Sequence, residues 1–199
     1  MIAPSGRCSS SKLIVMANEV EIKFVVHDLD AVRERLTELG FTEQTLRTNE
    51  MNTLYDRDEQ MRRRGEVLRI RKYGSKWVVT HKAKSQDARH KSRIETETTV
   101  SDGEALEKIF KALGLEPSFR YEKFRSEWTD GQGHVVLDET PIGNLGEIEG
   151  TPDWIDKIAA QLGINERDYI TKSYAELFQE WVKEHRSGAR NMTFAEVHD

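Results

Sequence analysis

The chain has 199 residues, of which 33% are charged and 37% hydrophobic, with a formal net charge of -5. That length suits one domain with a real core, and the even spread of apolar residues excludes disorder along the body. An acidic balance excludes a general nucleic-acid coat, which needs a basic excess. Cys8 is the only cysteine, so neither an intramolecular disulfide nor a Cys-based zinc site can form, and a reducing cytoplasm is the expected setting.

Residues 1–17 read as a disordered leader. They hold Pro4, Gly6, three consecutive serines and the run Leu13-Ile14-Val15-Met16, which is too short for a signal-peptide core or a membrane span. Met16 is a candidate translation start. A single domain is expected over 18–186 and a loose tail over 187–199.

Glu19 to Val26 alternates charged and apolar positions and predicts a strand. Asp28 is placed to cap a helix carrying Leu29, Val32, Leu36 and Leu39, stopped by Gly40. After a polar stretch come a short strand at Asn52 to Asp56 and a hairpin of Glu66 to Tyr73 with Lys76 to Ala83, turning at Gly74-Ser75. Lys84 to Lys91 reads as a mobile loop and Ser92 to Val100 as a strand. Ser101 with Glu104 predicts a capping box for a helix ending at Gly114.

Phe119 to Trp128 and His134 to Asp138 predict strands joined near Asp130-Gly131-Gln132-Gly133, and Gly146 to Glu149 a short last one. Thr151-Pro152 opens a helix that Gly163 ends, and a final amphipathic helix runs from Ser173 to His185. Two strand-then-helix units hint at two similar halves, in an α+β domain of antiparallel strands with helices outside.

Residues two apart on a strand share a face. Glu19, Glu21 and Lys23 therefore project together, as do Arg69 with Arg71, Lys82 with Lys84, Arg93 with Glu95 and Glu97, Lys123 with Arg125, and Glu147 with Glu149, while Asp138 ends its own strand. Any single pair fits an ordinary wet sheet face. Taken jointly, the ladders back onto apolar faces such as Val20, Ile22 and Phe24. If helices cover those faces, the charges point into a closed sheet. Buried charge must be paired or ligand-bound, and both signs are present. The basic set suits a polyanion and the acidic set a hard divalent cation.

Other chemistries lack support. There is no P-loop and no dinucleotide-binding glycine motif. His27, His81, His90, His134, His185 and His198 are scattered and read as surface or satisfied histidines. Cys8 reads as inert, and Arg62-Arg63-Arg64 as a solvated loop with at most a minor role in attracting anions.

In order along the chain, Glu19-x-Glu21-x-Lys23, Asn52 to Asp56, Leu68-Arg69-Ile70-Arg71, Lys82-Ala-Lys84, Arg93-Ile-Glu95-Thr-Glu97, Lys123-Phe-Arg125, Leu137-Asp138 and Glu147-Ile-Glu149 resemble the successive motifs of the CYTH family, the triphosphate tunnel metalloenzymes. The resemblance covers about Glu19 to Leu177. It implies an eight-stranded antiparallel β-barrel that binds a triphosphate with Mg2+ or Mn2+, two ions being expected. By the same resemblance, metal binding falls to Glu19, Glu21 and Glu149, with Glu95, Glu97, Asp138 and Glu147 supporting them or holding the basic groups. Lys23, Arg69, Arg71, Lys82, Lys84, Arg93, Lys123 and Arg125 would bind phosphate, with Lys23, Arg69, Lys82 and Arg125 closest to the chemistry and Lys172 helping to close the site.

Family members include thiamine triphosphatases, inorganic triphosphatases and class IV adenylyl cyclases. Hydrolysis needs only the clamp, whereas cyclisation of ATP also needs a sugar and base site that the sequence does not identify, so hydrolysis is the expected reaction. A cyclase is the alternative, and a non-catalytic polyphosphate-binding module ranks third. Expected partners are a small-molecule triphosphate, with no nucleic acid and no membrane, in a monomer or homodimer.

Overall fold

Eight antiparallel strands close on themselves, and their order explains why. The computed structural model describes residues 17–197 apart from 85 and 88; the leader reading, Cys8 and His198 fall outside the described residues. The strands are β1 (Ala17–Val25), β2 (Thr42–Asp56), β3 (Val67–Tyr73), β4 (Lys76–Lys82), β5 (Gln86–Asp87), β6 (Lys91–Val100), β7 (Glu116–Thr129), β8 (His134–Thr140) and β9 (Gly143–Glu149). The sheet runs β1-β9-β8-β7-β2-β3-β4-β6, with two-residue β5 appended to β6, and β1 pairs with β6 to close the barrel. Closure leaves no bare edge among the long strands.

Each half of the chain supplies one strand, a helix and three further strands: β1, β2, β3 and β4 around α1 (Leu29–Glu38), and β6, β7, β8 and β9 around α3 (Gly103–Ala112). Exchanging the two halves maps the strand order onto itself, since β1 pairs with β6 and β2 with β7. The two-halves pattern suggested by the helix endings is therefore present in the topology.

The apolar strand faces point outward under helices. Ile22 and Phe24 of β1, Val135 and Leu137 of β8 and Ile148 of β9 pack with Leu36 of α1 and with Trp154, Ile155 and Ile158 of α4 (Pro152–Gln161). On the opposite side Phe110 and Leu106 of α3 cover Tyr55 and Ile70. Burying each large apolar side chain contributes roughly 1.5–3 kcal/mol. Gly146 lies beneath the Phe24 ring so closely that an added Cβ would overlap it. Gly146→Ala is expected to cost about 1–3 kcal/mol by overpacking, read as a shifted urea midpoint with unchanged slope.

Several local expectations need correction. β2 has 15 residues, ten more than the strand expected at Asn52 to Asp56, because β7 pairs along nearly its whole length. The loop expected at 84–91 ends in buried His90 and Lys91, and α3 is capped by Asp102, whose side chain accepts from the Ala105 N–H, rather than by Ser101. Arg62-Arg63-Arg64 lies on the short exposed helix α2 (Gln60–Arg64), ended by Gly65 at φ 71°.

The tail is packed, not loose, over its described part. Met192 is fully buried and exchanges backbone hydrogen bonds with Arg120 and Glu122 of β7, while α6 (Phe194–Val197) follows it. Apolar burial and strand-like pairing outweigh its lack of sequence period. No helix among the described residues is long and apolar enough to cross a membrane.

Candidate active site inside the barrel

The charged faces point inward, and opposite signs meet across strands because of register. Lys23 lies opposite Glu147 on β9, Glu21 opposite Lys91 and Glu19 opposite Arg93 on β6, and Arg125 opposite Asp138 on β8. The deepest layer is a network of ion pairs. Asp138 accepts from Lys123 Nζ at 3.0 Å, from Arg125 Nε at 2.8 Å and Nη2 at 2.6 Å, and from the Tyr174 hydroxyl at 2.5 Å. Glu147 accepts from Arg125 at 2.5 Å and pairs with Lys23 at 3.2 Å, and Lys23 also donates to Glu21 at 2.6 Å.

Burial by itself lowers the pKa of the Lys23 ammonium, but Glu147 and Glu21 outweigh it and leave it raised. Arg125 is likewise raised, since Asp138, Glu147 and Glu50 overcome its burial. For Glu147, burial pushes upward and Arg125 with Lys23 pulls the carboxyl well below its usual range.

Among β1, β3, β4 and β6, Lys82 bridges Glu19 and Glu95 at 2.8 Å each, Arg71 holds Glu97 at 3.0 Å, and Arg69 lies 3.7 Å from Glu95. The Nε groups of Arg69, Arg71 and Arg93 are buried with no hydrogen-bond partner. Orphaned buried donors on cations are costly unless an anion completes them.

Glu19, Glu21 and Glu149 each bring a carboxylate oxygen to within 4.8 Å of the others. Glu19 pairs with Lys82 and Glu21 with Lys23, but no cation pairs with Glu149 among the described residues. Burial first and then Glu147 push the Glu149 carboxyl up to about 8, with Glu21 and Glu19 adding to the rise and Arg125 opposing it. Three converging carboxylate oxygens, one of them from a glutamate with no cationic partner among the described residues, fit a divalent cation such as Mg2+ or Mn2+. Such a cation competes with the Glu149 proton below that pKa. Apparent Mn2+ affinity, measured by calorimetry, is therefore expected to rise about tenfold per unit from about pH 6 to about pH 8 and level off above. A flat profile would remove Glu149 from the ligand set.

The sequence-predicted residues divide accordingly. Lys23, Arg69, Arg71, Lys82, Arg93, Lys123 and Arg125 line the interior. Glu95, Glu97, Asp138 and Glu147 hold those cations and lie outside the three-carboxylate cluster. Lys84 is exposed beside Gly65, and Lys172 is exposed and paired with Glu180 at 2.6 Å. Neither faces the interior cluster.

Sequence reasoning missed Glu50 and Asn52, both fully buried on β2. Burial would raise the Glu50 carboxyl, but Lys123, Arg125, Arg71 and Arg69 hold it well below its usual range. It also missed Lys91, whose ammonium burial and nearby Lys23 lower to about 8, and Tyr174, the first residue of α5 (Tyr174–His185). Glu50 and Asn52 carry the same two-residue spacing as the recognised ladders. That spacing was the available signal.

The CYTH domain model matches residues 17–174. The chain is 30% identical over 170 residues to a Methanocaldococcus jannaschii protein named "Putative adenylate cyclase MJ0240", covering 80% of this chain and 97% of that one. The fold is similar to that of a conserved hypothetical protein from Pyrococcus furiosus, at 25% identity and a TM-score of 0.66 over 80% of this chain and 99% of that one. It also resembles HpAC1 of Hippeastrum, named "putative adenylyl cyclase" and described as having a dominant triphosphatase activity, at 18% identity and a TM-score of 0.54 over 82% and 96%. The closed barrel, its inward charge ladders and the family match agree: the chain belongs to the CYTH domain family.

Proposed function

We propose that this protein is a divalent-metal-dependent hydrolase of triphosphates. The observation that carries the reading is one interior holding both the orphaned guanidinium donors of Arg69, Arg71 and Arg93 and a cluster of three carboxylates in which Glu149 has no cationic partner among the described residues. A polyphosphate with a divalent cation completes both sets at once.

The residues have separate tasks. Lys23, Lys82, Arg69, Arg71 and Arg125 stand on paired strands, so they present positive charge to phosphate oxygens with little reorganisation. Asp138 and Glu147 hold Arg125 and Lys23, and Glu50, Glu95 and Glu97 hold Arg71, Lys82 and Arg69. Glu19, Glu21 and Glu149 would hold the cation, which supplies charge neutralisation at the phosphates and Lewis acidity toward water. Positioning and preorganised charge thus do most of the catalytic work.

The Methanocaldococcus relative is named for cyclisation and the Hippeastrum protein is described by hydrolysis, so product identity is the decisive measurement. Incubation with ATP, inorganic triphosphate or thiamine triphosphate, each with Mg2+ or Mn2+, is expected to release orthophosphate. Cyclic AMP with pyrophosphate as the main product would overturn hydrolysis. Binding without turnover under either metal would mark a polyphosphate-binding module instead.

A further inference from the structure

One interior lysine is held in place from outside the barrel. Lys91 is 5% exposed, lies opposite Glu21 of β1, and shares the inward face of β6 with Arg93. Its pairing is incomplete. Among the described residues its nearest carboxylate oxygen is Glu21 Oε1 at 3.9 Å, and that oxygen already accepts from Lys23 at 2.6 Å. Arg93, two residues on, keeps a buried Nε with no hydrogen-bond partner. Neighbouring buried cations so weakly partnered are costly unless an anion completes them.

What fixes Lys91 is not its own ion pair but the residue before it. His90 is buried, and its Nε2 lies 2.8 Å from Asp156 Oδ1 on α4. Arg89 donates to the other oxygen of Asp156. The Tyr169 hydroxyl donates to Asp156 Oδ1 at 3.1 Å, and the next residue, Ile170, exchanges 2.8 Å backbone hydrogen bonds with Lys23. One carboxylate therefore ties the start of β6, and the segment paired with Lys23, to a helix whose Trp154, Ile155 and Ile158 pack into the core. Burial opposes the charged form of Asp156, but His90, Tyr169 and Arg89 outweigh it and hold the carboxyl below its usual range.

We infer, resting on the triphosphate reading of the interior, that Lys91 is a further phosphate-binding residue and that Asp156, outside the barrel, is the positioning residue that holds it toward the substrate. Lys23 and Arg125 are gripped by carboxylates at 2.6 Å, so a phosphate must compete for them. Lys91 offers its ammonium with far less competition. Anchoring its backbone through His90 also removes part of the ordering cost that a long side chain brings to binding.

The test uses Lys91→Met, Asp156→Ala, Asp156→Asn and the double variant Lys91→Met/Asp156→Ala, at neutral pH. Calorimetry gives the affinity for inorganic triphosphate in the presence of Mn2+ and for Mn2+ alone, and hydrolysis gives KM and kcat. Lys91→Met is expected to weaken triphosphate binding roughly tenfold or more, the loss of one hydrogen bond from a charged donor. Asp156→Ala should weaken it about threefold to tenfold, through KM rather than kcat, and Asp156→Asn less, because its amide oxygen still accepts. Affinity for Mn2+ alone should not fall. In the double variant Asp156→Ala should add nothing to the loss caused by Lys91→Met, a coupling that a merely structural role would not produce. Unchanged triphosphate affinity in Lys91→Met, multiplying losses in the double variant, or a parallel loss of Mn2+ affinity would overturn the inference. Binding without turnover would sink hydrolysis alone and leave the affinities to decide Lys91. If the wild type binds no triphosphate, both readings fall.

Discussion

Glu149→Gln is expected to abolish metal-dependent turnover while raising the melting temperature of the metal-free protein above about pH 8. Glu149 has no cationic partner to strand among the described residues, and burial with Glu147 already favours its neutral form. The sign follows from linkage. A carboxyl whose folded-state pKa is raised binds its proton more tightly when folded. The native state therefore loses stability as pH climbs from the ordinary glutamate value to about 8. Glutamine mimics the protonated form at every pH, so the gain over wild type should appear above that window and vanish at acidic pH. Each kcal/mol regained would raise the midpoint by about 2–4 °C in a chain of this size. Losing one of three carboxylate donors should weaken Mn2+ binding by roughly a hundredfold or more, beyond the effect of losing an outer-shell partner. Melting scans with and without Mn2+ at two pH values would test both halves. Retained metal stabilisation, or a lower metal-free midpoint at high pH, would refute the assignment.

Asp138→Asn should act in the opposite direction and more strongly. The carboxylate is fully buried and satisfies Lys123, Arg125 and the Tyr174 hydroxyl together. Glu50 at 3.5 Å from Lys123 and Glu147 at 2.5 Å from Arg125 keep some compensation, so the loss should fall near about 3–5 kcal/mol, the range for breaking a buried pair. Asparagine keeps one acceptor oxygen, for which Lys123, Arg125 and the Tyr174 hydroxyl would compete. Urea denaturation of metal-free protein gives the value. A loss under about 1 kcal/mol, together with weakened Mn2+ binding, would instead make Asp138 the metal ligand that the family resemblance allowed.

How far the sequence revealed this arrangement depended on contrast between strand faces. On β1, Glu19, Glu21 and Lys23 alternate with Val20, Ile22 and Phe24, so both strand and site were readable. β2 lacks that contrast. Its inward Glu50 and Asn52 are polar, and its outward Met51 and Asn49 are exposed, so no apolar period marked the first ten residues. Only pairing with β7 makes them a strand, and that pairing joins positions about 75 residues apart. The division of acids between metal and cations was unreadable for a related reason. Which acid meets which base depends on register between distant strands, as with Glu21 against Lys91. Tyr174 shows a third limit: the sequence marks only an amphipathic helix from Ser173 to His185, and the stacking of Tyr174 on Tyr121 comes from the whole chain's path.

The closure of β1 between β6 and β9 also bears on how the chain is made in the cell. β1 leaves the ribosome first, yet both of its neighbours are downstream, and β9 ends at Glu149. At typical synthesis rates the gap is on the order of ten seconds. Until β9 emerges Ile22 and Phe24, which end at 0% and 3% exposure, lack their strand partners Ile148 and Gly146. The nascent first strand is thus the segment most in need of chaperone cover, and translational pausing before Gly143–Glu149 should lower soluble yield more than pausing after it.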